Sequence, residues 1–270
     1  MDPKHQRREE QLTNDPFCSA NPINHRGGRW KKLHVLEPTD MEYITVGKQF
    51  KDGWKHPHKT EPCVKAIFKI VSPSHFLVAY YQYQDRILQD LSPPMQFSAN
   101  EQLLFHGTTR ACSLGEDGLK THLCTLPACN LCCVIRQSFD VKKCGTKNRF
   151  RRFGTGIYTT SVSSKADDYT QNLNEDALGK SRAVLLNRVI VGNPKRRRRN
   201  AVHLTAPPLG CHSVIGEPGA DLNYEETVVY HNDAIRPAYL IIYCEQTETI
   251  KPKLRFRNAV KALFNTPLVT

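Results

Sequence analysis

No run of apolar residues approaches the ~18 needed to cross a bilayer as a helix, which excludes a spanning segment of that kind. The chain starts Met1-Asp2-Pro3-Lys4-His5-Gln6 and continues into charge, not into the apolar stretch of a secretory signal. Apolar residues make up 39% of the sequence. That share is somewhat low, so polar tails around one core are expected. Nor are the ten cysteines spread as a disulfide framework, since five of them fall between positions 124 and 144. A reducing intracellular compartment, nuclear or cytoplasmic, is the simpler expectation.

Positive charge is abundant. A net charge of +12 suits phosphate-bearing partners such as a dinucleotide, nucleic acid or other anionic chains. Charge of this kind speaks to attraction and not to activity. The length of 270 residues suits one large domain or two small ones.

The densest local pattern runs from Arg152 to Tyr169. Gly154 and Gly156 allow backbone to approach a ligand closely, because no Cβ intervenes. Residues 156–160 read as a short strand of β-branched and aromatic side chains. Ser161 to Ser164 offer capping side chains, and 165–169 read as the first turns of a helix. Tyr158 then lies on a strand and Tyr169 on the helix after it, and two such aromatic faces can sandwich a flat ring.

Two flanking segments change the weight of that pattern. Upstream, Leu103-Leu104-Phe105-His106-Gly107-Thr108-Thr109 is an apolar strand ending in His-Gly. Downstream, Glu226-Thr227-Val228-Val229-Tyr230 is a strand that opens on a carboxylate. In this order the three segments resemble the catalytic domain of the poly(ADP-ribose) polymerase family, the His-Tyr-Glu branch of the ADP-ribosyltransferases. The segment 207–216, Pro-Pro-Leu-Gly-Cys-His-Ser-Val-Ile-Gly, is similar to the stretch before the last motif in tankyrase-like members. The resemblance covers roughly 40–245 and is densest from 102 onward.

The resemblance implies an α+β ADP-ribosyltransferase fold, with a split, mostly antiparallel sheet and peripheral helices. It implies a catalytic domain over 31–247 with a Cys-rich insertion at 120–150. A polar arm at 1–30 precedes it and a basic extension at 248–270 comes after it. The implied substrate is NAD, cleaved between nicotinamide and ribose, with ADP-ribose passed to a protein or nucleic-acid acceptor as one unit or many. Glu226, His106 and Tyr158 are the implied catalytic residues. The implied contacts to NAD are His106, Gly107, Thr108, Tyr158, Ser164 and Tyr169. The chain departs from the family at Ala166, where better-known members carry a serine whose hydroxyl bonds the nicotinamide carboxamide. One lost bond of this kind weakens binding by about 0.5–1.5 kcal/mol. Ser163 or Ser164 is the expected substitute.

The cysteines at 124, 129, 132, 133 and 144 have a C-x4-C-x2-C-C-x10-C spacing. Cys129 and Cys132 fit half of a tetrahedral zinc site, and Cys124 with Cys144, Cys133 or His122 would complete it. The set Cys124, Cys129, Cys132 and Cys144 is the candidate, with free buried thiols as the alternative. Tankyrase-like enzymes carry zinc after the second tyrosine. These cysteines precede the first, so position alone transfers nothing.

Elsewhere, helices are expected from Asp40 and over 75–91, and a helix or turn over 111–119. Strands are expected over 63–71, 183–191, 226–230 and 238–243. The run at 183–191 is nearly continuously apolar and suits a strand covered on both faces. His56 and His58 read as surface histidines in a loop. Lys195 to Arg199 read as a solvated loop or, more sharply, a nuclear-import or nucleic-acid patch. Two competing functions remain: a non-catalytic NAD or ADP-ribose binding module, and a zinc-stabilised nucleic-acid-binding protein.

Overall fold

A computed structural model describes residues 3–18, 32–91, 99–116, 120–143, 151–173 and 181–245. The basic extension at 248–270 and Cys144 lie outside these residues. Helix α1 (Pro3–Asn14) opens the chain, and β1 (Leu33–Val35), α2 (Met41–Asp52), β2 (Pro62–Ile70) and α3 (Ser74–Asp90) come after it. Next come β3 (Glu101–Gly107), β4 (Thr109–Arg110), α4 (Asn130–Gln137), β5 (Ile157–Thr159), α5 (Ser163–Asp167) and β6 (Gln171–Asn172). The chain closes with β7 (Arg182–Ile190), β8 (Pro194–Arg197), β9 (Ser213–Gly216), β10 (Glu226–Val229) and β11 (Ile235–Glu245).

Two sheets carry the fold. The larger has the order β1-β2-β11-β7-β3 and is antiparallel throughout. The smaller has the order β5-β10-β9-β8, with only its β8–β9 edge parallel. They meet where the backbones of Phe105 and Thr160 exchange hydrogen bonds of 2.8 and 3.1 Å. This is the expected α+β architecture with a split, mostly antiparallel sheet.

The apolar run of β7 reflects burial on both faces. Successive strand residues point to opposite sides. Leu185 and Val189 pack with Leu77, Tyr80 and Ile87 of α3. Val184 and Leu186 pack with Val46 and Phe50 of α2 on the other side. Strand β11 divides in the same way, Leu240 and Ile242 to one layer and Ile241 and Tyr243 to the other.

The described part of the N-terminal arm, residues 3–18, is held by the body. Its anchor is Asp15, whose carboxylate accepts from Arg188 Nη1 at 2.7 Å and from the Tyr81 hydroxyl. Phe17 sits edge-on to Tyr239 at 5.3 Å. Residues 111–115 form a bend and a turn, one of the two readings expected for that stretch. Two expectations are corrected. The basic run is not simply a loop, because 195–197 belong to edge strand β8, and Arg196 and Arg198 pair with Glu217 at 3.2 and 3.3 Å. Edge strands tolerate such charge, since backbone pairing is indifferent to it and it deters further pairing. His56 is not a surface residue: its side chain is 11% exposed and faces Asp168 at 3.6 Å. Among the described residues no helix is long and apolar enough to cross a membrane.

Candidate active site

The junction of the two sheets places three strands side by side, and each contributes one of the three implied catalytic residues. His106 lies near the end of β3. Tyr158 lies on β5, with Val228 of β10 directly opposite it in register. Glu226 opens β10 on the same face as Val228, two residues away. Together they line a cleft of about 1390 Å³. Gly107, Thr108 and Tyr169 line it as well, so six of the seven candidate residues share one space.

Each of the three strand residues is fixed by its surroundings. His106 Nδ1 is 2.8 Å from the Tyr158 carbonyl oxygen. A carbonyl can only accept, so Nδ1 carries the proton and in the neutral ring Nε2 is the acceptor. Phe139 packs edge-on against the imidazole with centroids 5.1 Å apart. The Tyr158 hydroxyl donates to the Gly154 carbonyl at 2.8 Å and accepts from the Phe153 N–H at 3.0 Å. That pairing folds the Gly-rich turn back over the ring edge. Gly154 itself has φ +71, and a Cβ there would fall 1.7 Å from the Leu204 carbonyl oxygen.

Glu226 is only 6% exposed. Its Oε1 pairs with Lys165 Nζ at 2.9 Å, and the same ammonium donates to the Tyr224 carbonyl at 2.7 Å. Burial lowers the Lys165 pKa, and the neighbouring carboxylate opposes that shift. Glu226 Oε2 is buried without a hydrogen-bond partner. Tyr169 is about half exposed at the rim; burial, then the charges of Glu226 and Asp168, raise its pKa.

Helix α5 is buried throughout and bolted from behind. Ser163 Oγ donates to the Phe50 carbonyl at 2.6 Å. Ser164 Oγ accepts from the Lys55 N–H at 2.9 Å and meets His56 Nδ1 at 2.7 Å. Lys59 Nζ donates to Asp167 at 2.7 Å and to the Ser164 carbonyl at 2.8 Å. These bonds turn Lys165, Ala166 and Tyr169 toward the cleft and both serines away from it. Ser164 is therefore corrected from a cleft residue to an anchor of the helix, and neither serine replaces the hydroxyl missing at Ala166.

Gly107 shows how closely α5 is set against β3. A Cβ there would lie 1.9 Å from the Ala166 carbonyl oxygen. Backbone on both sides leaves no flexible atom to yield. Gly107→Ala is expected to force α5 outward and to destabilise the chain by about 1–3 kcal/mol. A thermal melt equal to that of the unchanged chain would contradict this close fit.

Sequence reasoning missed several parts. The wall opposite the strands comes from α4 and the segment just after it, where Asn130, Cys133, Val134 and Asp140 line the cleft. Arg151, Arg152 and Lys143 add positive charge to the lining. Lys165 stands between Ser164 and Ala166 in the sequence, with nothing there to mark it as the partner of Glu226. Of the four expected metal ligands, Cys124, Cys129 and Cys132 do converge. Their fourth neighbour is Cys112, which no short spacing singles out. The model of one protein family, described as poly(ADP-ribose) polymerase catalytic domain, matches residues 40–245, every element from α2 to β11.

Proposed function

Since the chain belongs to the poly(ADP-ribose) polymerase catalytic-domain family, whose domain takes NAD as substrate, we propose that it is an NAD-dependent ADP-ribosyltransferase centred on Glu226. One observation carries this reading. Lys165 holds one oxygen of the carboxylate, while the other is buried in the cleft wall with no donor. A buried acceptor left unpaired costs about 1–3 kcal/mol, and more when charged, so the site is built for an incoming donor. The 2′-hydroxyl of the nicotinamide ribose is a donor of the right kind.

That contact sets the chemistry. The bond between ribose C1′ and the nicotinamide nitrogen breaks with its electron pair going to nicotinamide, which leaves neutral. Positive charge develops on the ribose ring. The Glu226 carboxylate, fixed by Lys165 and largely shielded from water, offsets that charge without having to reorganise. The acceptor attacks C1′ and gives up its proton, which the same carboxylate is placed to draw off. Tyr158 and Tyr169 hold the nicotinamide ring between aromatic faces. The Gly107 backbone meets the carboxamide, with Thr108 beside it, and His106 accepts from a ribose hydroxyl. Arg151, Arg152 and Lys143 give the cleft a field that attracts the diphosphate.

Ala166 faces this site without a hydroxyl. Ala166→Ser is expected to tighten NAD binding by roughly 2- to 12-fold, the equivalent of one neutral hydrogen bond. A titration showing no gain would place the carboxamide elsewhere. The overall reading is tested with NAD labelled on its adenylate half, offered together with protein, DNA and RNA. Nicotinamide release with label on one acceptor class supports it and names the acceptor. NAD bound without release assigns a binding module instead.

A further inference from the structure

We propose that Cys112, Cys124, Cys129 and Cys132 form a tetrahedral thiolate site for one zinc ion that braces the α4 wall of the cleft. The four Sγ atoms all lie within 4.8 Å of one another. They come from separate places: the bend after β4, the loop before α4, the cap of α4 and its first turn. A tetrahedral ion with metal–sulfur bonds of about 2.3 Å sets its sulfurs about 3.8 Å apart. Cys112 Sγ lies 3.8 Å from Cys129 Sγ and 3.5 Å from Cys132 Sγ. All four are free thiols, Cys129 and Cys132 buried and the other two partly so.

Ordinary core packing does not account for this convergence. Buried thiols behave as small hydrophobes, and the S–H···S contacts they make with one another are weak. A single ion at their centre would bond all four sulfurs at once, which the weak thiol contacts do not. Each thiol would release its proton and bind as thiolate, leaving the site with a net charge of 2−. The Ala111 N–H already points at Cys129 Sγ at 3.4 Å, as a donor to a thiolate does. An all-sulfur tetrahedral set favours zinc over the harder divalent cations.

The site's position gives it a task. Cys112 lies a few residues after Gly107, and α4 carries Asn130, Cys133 and Val134 on the cleft wall. An ion shared between them ties the two sides of the cleft together. This consequence rests on the NAD reading, whereas the metal itself does not.

The test is elemental analysis of the 270-residue chain purified without chelator, beside Cys112→Ser, Cys124→Ser, Cys133→Ser and Cys144→Ser. The expected result is one zinc per chain, lost in the first two variants and retained in the last two. Chelation should lower the thermal midpoint by several degrees and weaken NAD binding. Should a ligand variant fail to fold, cobalt(II) loaded into the unchanged protein reports the site through the visible bands of tetrahedral thiolate coordination. Four titratable thiols with no metal would overturn the proposal, as would a mass deficit from disulfides or iron in place of zinc. Zinc lost in Cys144→Ser but kept in Cys112→Ser would overturn the ligand set. Zinc bound at full stoichiometry with no NAD binding would leave the metal site standing and sink only the NAD reading.

Discussion

Glu226→Gln is expected to lower the rate of nicotinamide release by about 10²- to 10³-fold, the usual effect of removing one group that stabilises transition-state charge. NAD affinity should change only a few-fold. Glutamine has nearly the same shape, and its amide can still bond a ribose hydroxyl. What it lacks is the negative charge that opposes the cation forming at C1′. A contact that matters only as this charge develops shows itself as equal losses in kcat and kcat/KM. Lys165 sharpens the expectation, because its ammonium, 2.9 Å from Glu226 Oε1, would then face a neutral amide. Measured release within tenfold of the unchanged enzyme would remove Glu226 from the reaction centre.

The largest expected loss of stability is at Arg188. Its guanidinium is bidentate to Glu101, at 2.8 and 3.2 Å, and donates to Asp15 at 2.7 Å. Phe17, Tyr80 and Tyr81 surround it with ring centroids 5.0 to 5.7 Å away. The Asp15 side chain is fully buried. Arg188→Met fills much of the same space but strands that carboxylate without its cation. Breaking a buried pair from one side costs about 3–5 kcal/mol. For a chain of this size that lowers the thermal midpoint by roughly 10 °C. Adding Asp15→Asn should recover part of the loss, because it removes the stranded charge. A single variant that melts within a degree or two of the parent would show that the arm is not anchored in this way.

Much of this architecture could be read from residues alone, and the parts that could not share a cause. Strand β7 was legible because burial on both faces writes an unbroken apolar run into the chain. The His-Gly, Gly-Ile-Tyr and Glu-x-Val-Val segments were legible because each is local, and their order was enough to suggest a shared cleft. Ser164 was misread because its hydroxyl is claimed by backbone 109 residues earlier, at Lys55. Cys112 escaped for the same reason: it reaches the other thiols through the fold and not through a short spacing. Helix α4 has only eight residues, about two turns, which is too short for its apolar face of Leu131, Cys132 and Ile135 to stand out as a repeat. Strand β8 carries no alternation to read, because Lys195 and Arg196 are both exposed, and its like charges say nothing about backbone pairing.

The most direct measurement is a crystal structure of the chain with an NAD analogue whose ribose oxygen is replaced by carbon, so that the glycosidic bond cannot break. The account predicts the nicotinamide ring between Tyr158 and Tyr169, with its ribose 2′-hydroxyl within about 2.6–3.2 Å of Glu226 Oε2. An analogue seated elsewhere, or one that leaves Glu226 Oε2 without a donor, would contradict it.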